Sequence, residues 1–150
     1  MILVRSPLRI SFAGGGSDMP SYCGTNIGIV VSTTIKSSIF IAVNSRFDSK
    51  VRVSYSETEI VDDIDTIKHD IVRECLKYFN LTSNIEIVST ADLPSGAGLG
   101  SSGAFTVGLI KALARAASSI ARVSIKVCAR AMAAMASSVM RLSGAVACAP

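Results

Sequence analysis

Apolar and polar positions alternate in short stretches through the first half of the chain and then fall at helical spacing. Residues 2–12 alternate well enough for a β-strand, which ends at the run Gly14, Gly15 and Gly16. Pro20 and the stretch GTNIG extend that break into a loop. Residues 27–43 are rich in Ile, Val, Thr and Ser and favour strand, read here as two strands joined near residues 36–38. VRVSY at 51–55 is a further short strand. Residues 62–79 bring Ile64, Ile67, Ile71, Leu76 and Phe79 to near-helical spacing, with acids in the first turns that suit a helix N-terminus. IEIVST at 85–90 reads as a strand, and LPSGAGLGSSGA follows directly at 93–104. From Ser101 onward the residues tolerate a helix. The order predicts an α+β fold rather than an alternating βαβ array, with no internal repeat.

Length and composition narrow this picture. A chain of 150 residues with 49% hydrophobic content is long enough for one domain with its own core, and is not a disordered tail. Its four cysteines are widely spaced, with no CxxC and no clustered histidine, so reduced thiols in a cytoplasmic protein are expected rather than a zinc site. Arg5 and Arg9 interrupt the N-terminal apolar run, which argues against a signal peptide. The longest charge-free run, 93–110, holds a proline and glycines and makes a poor membrane span, so no membrane partner is expected. Charge is unevenly spread. Residues 1–92 carry nine Lys/Arg and all eleven acids, whereas residues 93–150 carry six Lys/Arg and no acid.

The glycine-rich stretch is the candidate for chemistry. A strand, a glycine turn and a helix start present backbone N–H groups and the positive end of a helix dipole to an anion. The Walker A pattern fails because no lysine follows the glycines. G-x-G-x-x-G is present as Gly98, Gly100 and Gly103, but the acid that a Rossmann-type dinucleotide site places on the ribose is missing, since nothing acidic follows Asp92. A protein-kinase glycine loop needs a hairpin and a lysine on the next strand, and neither is visible. A tight turn without a ligand stays open. Ser101 and Ser102 can cap the helix, bind a phosphate oxygen or meet Mg²⁺.

PSGAGLGSSGA, together with SPLRISFAGGGSDMPSY near the N-terminus, closely resembles the two N-terminal motifs of the GHMP kinases, the family of galactokinase, homoserine kinase and mevalonate kinase. The triple glycine looks most like the bacterial heptose 7-phosphate kinases of that family. The resemblance covers residues 1–113 and implies a ribosomal-protein-S5-domain-2-like N-terminal domain. It also implies transfer of the ATP γ-phosphate, with Mg²⁺, to a hydroxyl of a small sugar or sugar phosphate. Carried over by motif position, Pro94, Gly96, Ala97, Gly98, Leu99, Gly100, Ser101, Ser102 and Gly103 would surround the ATP phosphates, with Ser102 beside the metal. Arg9, Gly14, Gly15, Gly16 and Asp18 would bind substrate, although an Arg9–Asp18 salt bridge across a loop explains that pair equally well. His69 is expected to be a solvated surface residue.

The pattern also breaks. The family's acidic metal ligand and catalytic Asp lie after the phosphate loop, where this chain has no acid, so the catalytic residues stay unassigned. The family's C-terminal motif and second domain are not found in these residues. Residues 114–150 form an atypical alanine-rich basic tail, expected to be helical, for which an out-of-frame origin is one reading. Lys111, Arg115, Arg122, Lys126 and Arg130 share one helical face. Without aromatics for stacking on bases, a solvated face is preferred to a nucleic-acid partner. The apolar remainder of the tail favours self-association. The alternatives to a kinase fragment are a non-catalytic nucleotide-binding fragment and a Rossmann-type dinucleotide binder.

Overall fold

The computed structural model describes residues 1–15, 17, 22, 27–94 and 96–121, the last three as backbone alone. It is a mixed α+β structure with one sheet of five strands and two helices packed on one face. In chain order these are β1 (Ile2–Ala13), β2 (Val31–Ser45), β3 (Val51–Ser54), β4 (Thr58–Val61), a 3₁₀ turn (Ile64–Thr66), α1 (Asp70–Phe79), β5 (Ile85–Ala91) and α2 (Ser101–Ala121). The sheet order is β1-β2-β5-β3-β4. Neighbours are antiparallel except β3 and β5, which run parallel because α1 carries the chain back between them.

Period-two burial builds the sheet face of the core. Ile39, Ile41 and Val43 of β2, Val51 and Val53 of β3, and Ile85 and Ile87 of β5 are all buried. Val72, Cys75 and Leu76 of α1 sit three and four residues apart and close over them. Leu109, Ile110, Ala112, Leu113, Ala116 and Ala117 supply the buried stripe of α2. Burying each of the larger side chains is worth roughly 1.5–3 kcal/mol.

Residues 31–45 form one strand, not two. The irregularity is still where the sequence suggested a joint: from Pro7 to Arg9 on β1, the partner on β2 moves from Ser38 to Thr34. Pro7 has no N–H to give the ladder, so pairing slips there. The chain continues instead of turning because its polar groups find other partners. Arg5 Nε donates to Ser38 Oγ (2.9 Å) and Arg5 Nη2 to Lys36 O (3.0 Å). Ser38 N donates to Asp92 Oδ2 (2.8 Å), and Asp92 N donates back to Ser38 O (3.1 Å).

The helix expected from residue 62 begins at Asp70. Asp63 caps the 3₁₀ turn instead, accepting from Asp65 N, and Ile67 is extended, so the early acids serve a turn. The helix ends at Asn80, which is left-handed (φ 54°) and donates to the last carbonyls. Among the described residues no helix is long and apolar enough to cross a membrane. The tail from 122 to 150 lies outside the described residues.

Candidate phosphate site and the aromatic cleft beside it

The glycine stretch leaves the end of β5 and enters α2. Gly96, Gly98 and Gly100 all have positive φ (83°, 71° and 68°), a region that strains any L side chain. Ala104 N donates to Gly100 O (3.0 Å), so Gly100 caps α2 with no side chain of its own. Ser101, Ser102 and Gly103 then occupy the first turn, where backbone amides lack intrahelical acceptors. Neither serine hydroxyl makes a hydrogen bond among the described residues. A Cβ placed on Gly96 or Gly98 meets nothing within 4 Å, so the space over the loop is open. Pro94 and Ala97 are exposed, and Leu99 packs against the core.

Arg9 reaches this loop from β1. Its backbone N donates to Leu99 O (3.1 Å), and its side chain lies over Gly100, where a Cβ would stand 3.1–3.3 Å from Arg9 Cγ, Nε and Cζ. Arg9 Nη1 donates to Ser11 Oγ (2.5 Å). The first motif and the glycine loop therefore touch. Gly14 sits tightly against the chain at Ile29, whose carbonyl oxygen would lie 1.8 Å from a Cβ there. With Ser17 and Tyr22 it lines a small cleft of about 380 Å³. Gly15 lies beside Ser11, 3.5 Å from its Cβ by the same construction. Gly16 and Asp18 fall outside the described residues, and with them the Arg9–Asp18 pairing.

A larger cleft of about 760 Å³ opens on the other side of the loop. Ile39, Ile71 and Leu93 supply apolar lining, and Gly96, Ser101 and Ser102 supply the edge shared with the loop. Tyr55, His69 and Phe105 also line it. The His69 ring stands edge-on to Tyr55 (5.0 Å between centroids) and tilted against Phe105 (5.2 Å). Tyr55 OH donates to Glu59 Oε1 (2.8 Å), which pushes the tyrosine pKa up to about 12. Glu59 Oε2 accepts from Lys68 N (2.8 Å), fixing that wall to the start of α1.

His69 is thus half-buried in a cleft, not a solvated surface residue. The sequence reading put it on the acidic helix, whereas it precedes the first residue of α1. Nothing in the sequence marks Tyr55, which follows β3, or Phe105, which lies on α2. For a nucleotide, the open amide cradle and the adjoining cleft offer both a phosphate seat and an apolar seat. For Mg²⁺ the described residues offer less. No three His, Cys, Asp or Glu side chains gather among them, and the carboxylate of Asp92 is engaged with Ser38 N. The Ser102 side chain is exposed in the first turn of α2.

Comparison with known proteins agrees with this geometry. The family described as GHMP kinases N terminal domain matches residues 66–148. D-glycero-alpha-D-manno-heptose 7-phosphate kinase of Campylobacter jejuni is 34% identical over 128 residues, 75% of this chain and 37% of that protein. Among solved structures, a D-glycero-D-manno-heptose 1-phosphate kinase from Bacteroides thetaiotaomicron aligns with TM-score 0.64 at 19% identity, over 81% of this chain and 48% of its own. The mevalonate kinase of Methanococcus jannaschii aligns with TM-score 0.56 at 15% identity, over 75% of this chain and 39% of its own. Those two structures share the fold. The chain spans less than half the length of each of these relatives.

Proposed function

The chain belongs to the GHMP kinase family through that family's N-terminal domain, and from that premise we propose that it carries the ATP-phosphate seat of a sugar-phosphate kinase. The observation that carries this reading is the contact of Arg9 with Gly100, which joins the substrate motif to an open cradle of helix-start amides. Mg·ATP would supply the transferable phosphoryl group. The amides of the first turn of α2 would hold phosphate oxygens, and Ser102 Oγ would meet the metal, which would offset phosphate charge. Arg9, fixed over the loop by its backbone bond to Leu99, offsets charge that builds on the phosphoryl oxygens during transfer. The acceptor hydroxyl would approach from the side of Gly14. Its oxygen bonds to the γ-phosphorus as the bond to the β–γ bridging oxygen breaks. The base that takes the hydroxyl proton has no assigned residue here. Heptose phosphates are the acceptor class suggested by the relatives.

Calorimetric binding of Mg·ATP, with NAD as competitor, tests the seat. Gly98→Val should weaken ATP binding more than tenfold, because φ of 71° strains a β-branched residue and its side chain fills the space over the loop. Ser102→Ala should weaken binding more with Mg²⁺ than without it. Tighter binding of NAD than of ATP sinks the kinase reading. A non-catalytic nucleotide-binding fragment is the second reading, favoured by the lack of any acid after Asp92.

A further inference from the structure

The chain contains one histidine, and the structure puts it in the wall of the larger cleft rather than at the phosphate loop. Its ring is held by Tyr55 on one side and Phe105 on the other, and Tyr55 is tied in turn through Glu59 to the amide of Lys68. Such a ring has little freedom to turn.

The two ring nitrogens differ. Nδ1 is sealed from solvent and has no hydrogen-bond partner. Nε2 is not sealed, and it makes no hydrogen bond among the described residues. A neutral imidazole carries its proton on one nitrogen only. A sealed N–H without an acceptor is a rarer and costlier defect than a sealed lone pair, so the proton belongs on Nε2. Burial also disfavours the charged ring, which keeps it in this neutral state. The wall therefore presents one N–H donor, flanked by aromatic faces and by Ile71 and Leu93. A fixed N–H donor among aromatic and aliphatic side chains orients a planar heteroaromatic ring and complements an acceptor nitrogen of a purine, with Ser56, Ser89 and Thr90 also in the lining.

We propose that His69 anchors the base of the bound nucleotide, donating from Nε2 to a purine ring nitrogen while the phosphates extend toward Ser101 and Ser102. This rests on the reading of the glycine loop as the phosphate seat. His69 acts in selecting and orienting the nucleotide; it takes no part in phosphoryl transfer.

The lone histidine makes the test clean. Long-range ¹H–¹⁵N spectra of the uniformly ¹⁵N-labelled chain report the nitrogens of His69 without overlap from another imidazole. The free protein should show the proton on Nε2. Mg·ATP should move the Nε2 resonance, whereas Mg·tripolyphosphate, which fills only the loop, should leave it in place. His69→Phe keeps a ring in the wall and removes the donor, so ATP binding should weaken roughly tenfold with tripolyphosphate binding unchanged. His69→Gln, which keeps an N–H donor, should recover part of that loss. A proton on Nδ1 in the free protein overturns the proposal. So does ATP that binds with the His69 signals unmoved, and that result leaves the phosphate seat intact. If neither ATP nor tripolyphosphate binds, the seat itself fails and the proposal falls with it. Should the Phe variant not fold, the spectra of the unaltered chain decide alone.

Discussion

Burial pushes the pKa of His69 down, while its own backbone and then the charges of Glu59 and Asp70 pull it up less strongly. The unfolded chain therefore takes up this proton at a higher pH than the folded chain does. Stability from this group is fully present above the ordinary histidine value of about 6.5 and is lost as pH falls below it, until the folded ring also protonates. Urea midpoints should be level between pH 8 and 7 and drop as pH falls below about 6.5. His69→Phe should flatten that drop, and a drop unchanged in the variant would assign it to other groups. Glu59 works in a separate, more acidic window. Burial raises its pKa, but the Lys68 amide and the Tyr55 hydroxyl outweigh burial and leave it below the ordinary carboxylate value. Its contribution is present at neutral pH and goes only as the carboxylates protonate.

α2 packs tightly on the sheet at Gly108, where an added Cβ would stand 2.9 Å from Ile41 Cδ1 and 3.2 Å from Ser6 Cβ. Gly108→Ala sets a small clash against the better helix propensity of alanine and should be close to neutral. Gly108→Leu cannot be absorbed by rotating one isoleucine and should cost about 2 kcal/mol, read from urea denaturation. Equal midpoints for the Leu variant and the unaltered chain would show that helix and sheet part more easily than this packing implies. Elements with an unbroken period were legible in the sequence: β1, β3, β5 and the helix that follows the glycine loop. β4 was not, because in TEIV the two apolar residues, Ile60 and Val61, are adjacent rather than alternating. The start of α1 was misplaced because acids that look like a helix N-terminus belong to Asp63 and its 3₁₀ turn. In the candidate site, Arg9 and the loop glycines were candidates because their motifs are local, and the structure brings the two motifs into contact. The wall of Tyr55, His69 and Phe105 draws on three separate elements, and no local pattern joins them.

At the scale of the whole molecule, the proposed seat for a nucleotide is separable from any machinery for turnover. Every acid lies at or before Asp92, and Asp92 itself is spent on the β2 backbone. Loss of a catalytic base alone lowers rates about 10²- to 10⁴-fold. A coupled ADP-release assay with heptose 7-phosphate, galactose and mevalonate should therefore give turnover far below one per second from this chain. Rates near that value, ordinary for working enzymes, would show that acids of the first 92 residues do the work. The bond from Arg9 N to Leu99 O has a consequence for how the protein comes into being. β1 leaves the ribosome well before the loop it supports is made. The cradle takes shape only when these distant stretches close on each other, after the loop-closure entropy between them has been overcome. Helices can form early and locally, but nucleotide affinity should arrive with the slow, long-range step of folding, so a bound nucleotide marks chains that have completed it.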